Sequence, residues 1–180
     1  FGPRLDALLR DHEVVGVAGT SRLVGPAWIA AGPPFIAGIV AHPAPGGLYL
    51  VQIYGTPAPV VRNIQALDGL FIACRREIAE RFPWDAQTFT GFHCYDTDWS
   101  FHAAQAGVDI VVATDLAIFH HSMGAFKEGW NAAAEAFMKK HAPALSTITP
   151  RRAQIAQALV PTRNDALEIL THFRTSFNLY

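Results

Sequence analysis

The chain has 180 residues, enough to enclose a substantial core, and half of them are apolar while only 16% are charged, which excludes a disordered protein. A formal net charge of -1 with no long Lys/Arg run leaves no electrostatic footprint for nucleic acid. The two cysteines, Cys74 and Cys94, lack metal-type spacing and fit a reduced cytosolic protein.

Leu5 to Arg10 reads as a short amphipathic helix with Leu5, Leu8 and Leu9 on one face. Val14 to Gly19 follows as a buried strand. From Leu23 to Val61 there is no Asp, Glu, Lys or Arg, but Pro26, Pro33, Pro34, Pro43, Pro45, Pro57 and Pro59 exclude a transmembrane segment. A spanning helix needs about 20 mostly apolar residues without such breaks. This stretch is expected to form buried loops and short strands lining a cleft, with one strand over Leu48 to Tyr54 between Gly47 and Gly55.

Ala66 to Cys74 reads as a further buried strand with Asp68-Gly69 at its entrance, and Arg75 to Phe82 as a helix stopped by Pro83. Asp96 is placed to N-cap a helix that passes Trp99 and Ala103 and stops at Gly107. Val108 to Ala113 and Leu116 to Phe119 are β-type runs, and Ala125 to His141 is helical, with Phe126, Trp130, Ala133, Ala134 and Phe137 as its apolar stripe. Beyond Pro143 and Pro150, helices are expected over Arg151 to Leu159 and Asp165 to Phe177, the second entered through Thr162-Arg-Asn-Asp165, which resembles a capping box. Strands alternating with helices predict an α/β layered fold. The start, Phe1-Gly-Pro-Arg4, carries neither an initiator Met nor a signal pattern and is read as belonging to a longer protein.

Three groups of residues offer chemistry. Asp96 and Asp98 sit at a loop-to-helix junction flanked by Tyr95 and Trp99; a carboxylate there serves either as helix punctuation or as a general base for a hydroxyl. His120 and His121 end an apolar strand, where neighbouring residues face opposite ways, so one of them is expected at a site, as a hydrogen-bonded side chain or a ligand for a divalent cation. Asp68-Gly69 is a turn, or a close backbone approach to a ligand with Asp68 bonding sugar hydroxyls. Trp28, in the uncharged segment, is core or an aromatic platform for a sugar.

Four ordered motifs carry a family resemblance: Leu67-Asp-Gly-Leu-Phe-Ile-Ala-Cys-Arg-Arg76, Phe89-Thr-Gly-Phe-His-Cys-Tyr-Asp-Thr-Asp98, Gly107-Val-Asp-Ile-Val-Val112 and His120-His-Ser-Met-Gly124. Together they resemble the second half of family-2 inverting glycosyltransferases of the GT-A fold, and Gly16 to Trp28 looks like a bacterial subgroup of the same family. The resemblance spans about Leu5 to His141. It implies a nucleotide-diphospho-sugar transferase architecture, incomplete at its N-terminus, with residues 1–142 on the acceptor side and 143–180 as a C-terminal helical extension. It implies Asp96 as the base that deprotonates an acceptor hydroxyl, Asp98 in support, and Asp68, Gly69, Trp28, Tyr95 and Trp99 around the donor or substrate. Tyr95 stands where the family usually has Glu. A nucleotide-sugar donor and a carbohydrate or other hydroxyl acceptor would be the partners. Mn or Mg would be the cofactor, touched by His120 or His121 but held chiefly by an Asp-x-Asp upstream of Phe1, so that these residues alone should bind donor poorly. Two other classes stay open: a small metal-dependent hydrolase using His93, Asp96, His120 and His121, and a carbohydrate-binding module with Trp28, Trp99 and Trp130 as surface platforms.

Overall fold

The computed structural model describes residues 1–55, 58–122, 129–148 and 155–176, the last four by backbone alone. In chain order it comprises α1 (Gly2–Asp11), β1 (Val14–Gly16), β2 (Ala18–Thr20), β3 (Ile36–Ala44), β4 (Leu48–Tyr54), β5 (Val60–Val61), β6 (Ala66–Leu67), β7 (Ile72–Cys74), α2 (Arg76–Arg81), α3 (Tyr95–Gln105), β8 (Ile110–Ala113), α4 (Trp130–His141), β9 (Ala156–Val160) and α5 (Arg163–Ser176). None of the described helices is long and apolar enough to cross a membrane.

Two sheets share the work, one ordered β5-β8-β1-β7 and the other β6-β2-β3-β4-β9. The first is a layered α/β unit whose side chains alternate strictly between its faces. Val14, Ile110 and Val112 pack against Ile78 and Phe82 at α2 and Trp99 and Ala103 of α3. Val15, Val111 and Ala113 turn the other way, onto Leu8 of α1. The second sheet is covered by α5, whose Ala166 and Leu170 contact Ile39, Ala41 and Val51.

The single strand expected over Val14 to Gly19 is divided. β1 pairs with β7 and β8, β2 with β3 and β6, so one extended stretch serves both sheets in turn. The strand expected over Ala66 to Cys74 breaks in the same way: β6 joins the second sheet, β7 the first. Between them Asp68 Oδ1 accepts the Leu70 N–H at 2.9 Å, the local bond of an Asx turn. Asp68 and Gly69 therefore stand where the chain passes from one sheet to the other.

The uncharged segment holds the largest departure from expectation. Its proline and glycine content reads as buried loops and short strands, with only Leu48 to Tyr54 located, yet Ile36 to Ala44 is a nine-residue strand at the centre of the second sheet. Residues 36–42 are all buried, so no polar alternation marks them, and Pro43 is tolerated at the exposed far end. Gly38, at φ 144°, lies so close to β2 that a Cβ would come within 2.7 Å of the Val17 carbonyl. Ile39→Ala should accordingly cost about 2–5 kcal/mol in urea unfolding, as deletion from a packed core does; a loop position would lose no more than about 0.5 kcal/mol.

Three further corrections concern local structure. The helix expected from Arg151 to Leu159 is contradicted over Ala156–Val160, an edge strand paired with β4; residues 151–154 lie outside the described set. Leu116 to Phe119 is not a strand but runs beside β3, with one parallel bridge from Phe119 to Ala41. The helix expected from Ala125 is described from Trp130 onward, and Phe126 lies outside the described residues.

Candidate functional site

Helix α3 begins two residues earlier than its sequence suggests. Cys94 occupies the N-cap position with φ 64°, a left-handed conformation unusual outside glycine, and Tyr95 is the first helical residue. Asp96 thus lies inside the first turn rather than capping it. Its Oδ2 accepts the Gly69 N–H at 2.6 Å, and Gly69 leaves just enough room: a Cβ there would sit 2.9 Å from that oxygen and 3.0 Å from the Tyr95 hydroxyl. A second clip holds the junction, because Ser100 Oγ accepts the Leu67 N–H at 3.0 Å and donates to the Asp96 carbonyl at 2.6 Å.

Burial raises the Asp96 carboxyl above the ordinary aspartate range, and the negative charge of Asp68 adds to the shift. Asp68 is itself fixed, accepting the Trp28 indole N–H at 2.7 Å. The Tyr54 hydroxyl donates to Gln52 Oε1 at 2.9 Å, and its ring meets Trp28 edge-on at 5.1 Å. Tyr54 is pushed up to about 12, first by burial and then by Asp68. Tyr95 is raised by burial and by the same two carboxylates.

These groups front a cleft of two adjoining cavities, of about 330 and 280 Å³, both walled by Gln52, Tyr54, Asp68, Phe92 and Asp96. The larger adds Trp28, His93 and Trp130; the smaller adds His42, Gly69, Tyr95 and His120. The fold therefore brings Asp96, Asp68, Gly69, Trp28, Tyr95 and His120 together, as expected of a single site.

Other expected members lie elsewhere. Asp98 is 2% exposed and turned into the interior, where its carboxylate meets His141 Nε2 at 2.6 Å and Lys140 Nζ at 2.8 Å. Two residues apart on a helix face nearly opposite ways, so Asp96 and Asp98 do not share a site. Trp99 is also core: it is 2% exposed, and its indole N–H donates to the Phe82 carbonyl at 2.6 Å. His121 is exposed and lines neither cavity. Trp28 and Trp130 are half-buried in the cleft wall, so the three tryptophans do not form a set of surface platforms.

Two residues were missed. Phe92 is 80% exposed and lines both cavities; it lies within the Phe89 to Asp98 motif, where nothing in the local pattern marks it. His42 on β3 is buried with its ring 5.5 Å from that of His120, and the proline-rich reading of its segment hid it. The segment before His120 runs along β3, and the His120 N–H donates to the Ala41 carbonyl at 2.8 Å, which pairs the two rings. Burial lowers the His42 imidazole below the usual histidine range, and neighbouring His120 contributes.

The cation implied by resemblance does not fit these residues alone. Among the described residues no three His, Cys, Asp or Glu side chains converge to hold a metal ion. His120 offers at most one ligand, and the four-residue hydrolase set of His93, Asp96, His120 and His121 is divided by the exposure of His121.

Comparison with known proteins found no match among curated proteins or solved structures. A family model, the Glycosyltransferase like family, matches residues 9–141, a span that includes every cleft residue named above. The mixed α/β layers are those of a GT-A-like domain, and the chain belongs to this glycosyltransferase family.

Proposed function

We propose that the cleft is the acceptor side of an inverting glycosyltransferase that takes a nucleotide-sugar donor, with Asp96 as its base. One observation carries the reading: a half-buried carboxylate with raised proton affinity, oriented by Gly69, stands in a cleft walled by Trp28, Tyr54, Tyr95 and Phe92. Aromatic faces and fixed carboxylates suit sugar rings and their hydroxyls. In the reaction an acceptor hydroxyl gives its proton to Asp96 as its oxygen attacks the anomeric carbon. The bond from that carbon to the diphosphate oxygen breaks, and the nucleoside diphosphate leaves with the electron pair. Asp68, already bonded to Trp28 and Leu70, is suited to hold substrate hydroxyls and to keep Asp96 basic.

The test is transfer by the full-length protein from a panel of nucleotide-sugars, with the product's anomeric configuration read by NMR. Inversion is the expected outcome, and a product of retained configuration overturns the mechanism. Gly69→Ala provides a finer check. The added methyl displaces Asp96 Oδ2 from its hydrogen bond, so transfer should fall by up to about 10²-fold, the cost of a small misplacement of a reacting group. Unchanged transfer would show that the position of Asp96 is immaterial.

A further inference from the structure

His42 carries an unused hydrogen-bonding atom in the cleft wall. Its Nδ1 lies 2.9 Å from the Ser122 carbonyl oxygen and 3.1 Å from that of His120. Carbonyl oxygens only accept, so the proton resides on Nδ1 and the lone pair on Nε2. The residue is 4% exposed, and Nε2 is buried with no hydrogen-bond partner among the described residues. Native proteins rarely leave such an atom unpaired, and where they do the position often has a role.

We propose that His42 is a substrate-binding residue whose Nε2 accepts a hydrogen bond from a hydroxyl of the saccharide seated in the smaller cavity. The inference rests on the reading of the cleft as a glycosyltransferase site. The donor must be a neutral hydroxyl rather than a phosphate, because the surrounding wall presents acceptors: Nε2 itself, the carboxylates of Asp68 and Asp96, and the Tyr54 oxygen whose proton is given to Gln52. Among the described residues, no Lys or Arg lines either cavity to balance an anion. Since Nε2 is shielded from bulk water, the hydroxyl reaches it only as cavity side chains rearrange on binding, an ordinary event at binding sites. A buried acceptor used in this way discriminates strongly, because an analogue without the hydroxyl leaves it unpaired again.

The experiment uses methyl glycosides of glucose, galactose, mannose and N-acetylglucosamine as probes, followed by long-range proton–nitrogen NMR of the histidine rings and by the Trp28 indole N–H signal. The expected result is that a glycoside which shifts Trp28 also shifts Nε2 of His42 and leaves Nδ1 nearly unmoved. One monodeoxy analogue of that glycoside should bind about tenfold more weakly, the factor that one ordinary hydrogen bond supplies. His42→Asn keeps an N–H donor for the two carbonyls but ends one atom short of Nε2, so its own carbonyl oxygen does not replace the ring acceptor there; it should bind the parent glycoside about tenfold more weakly and no longer distinguish the deoxy analogue. If a glycoside shifts Trp28 but every monodeoxy analogue binds alike and His42 is unmoved, the assignment of His42 is overturned while the cleft reading stands. If no glycoside shifts Trp28 and the protein transfers no sugar, both are overturned.

Discussion

Asp96→Asn should abolish most glycosyl transfer while making the protein more stable at neutral pH. General-base catalysis contributes about 10²–10⁴-fold, and the carboxamide cannot take the proton, so the rate should drop by a factor in that range. The stability effect has the opposite sign for an electrostatic reason. Burial and Asp68 raise the folded-state affinity of Asp96 for its proton above that of the unfolded chain. A group shifted that way favours folding fully below its unfolded value, and that contribution is lost as pH rises through the raised folded value. Above the unfolded value the buried wild-type carboxyl, placed close to Asp68, therefore costs folding free energy, and Asn removes that cost while still accepting the Gly69 N–H. Thermal unfolding across pH checks this: the midpoint of Asp96→Asn should exceed that of the parent at pH 7, and the gap should close in acid. In the parent, transfer should rise with pH as Asp96 loses its proton. A variant that is both active and no more stable would remove Asp96 from the mechanism.

Asp98→Ala should show the reverse division, with a large loss of stability and little direct loss of chemistry. The Asp98 carboxylate joins α3 to α4 through Lys140 and His141, and both it and His141 are almost wholly enclosed. Removing one partner of a buried ionic or charge-assisted pair typically costs about 3–5 kcal/mol, because the other is left without compensation. Lys140 is one-third exposed and also reaches Asp85 at 2.8 Å, so it can shed its share of the penalty to solvent. The loss should thus fall mainly on His141, near the lower figure of about 3 kcal/mol. Out of a total stability of about 5–15 kcal/mol, this is enough to show plainly in denaturant melts. Below the melting range, the turnover of folded Asp98→Ala should stay within a few-fold of the parent. A stable but inactive variant would restore Asp98 to the catalytic site.

The contrast between these two aspartates shows how far the chain could be read unaided. Spacing and composition identified the segment, the helix and its stop at Gly107, but not the register at which the helix begins. With Asp96 as a cap, Asp98 would lie in the first turn and both carboxylates would remain near the helix end. With Cys94 as the cap, both are helical and diverge, one toward the cleft and one toward α4. A single left-handed residue decided this, and left-handed geometry at a non-glycine position leaves no mark in composition.

Local pattern suffices wherever a segment satisfies itself, as in the amphipathic stripe of α1, the strand over Leu48 to Tyr54 and the Asp68-Gly69 turn. Partnership between distant segments was not accessible in this way. β3 looks like loop because it is buried along its whole length, so polarity cannot alternate, and its partners β2 and β4 supply the order that its own residues do not advertise. The same pairing sets His42 beside His120, 78 residues away, and turns an apparent histidine pair at 120 and 121 into a different pair across two segments. Chemistry-bearing residue types can be named from the chain; which of them meet is decided by the sheet crossings that bring their backbones together.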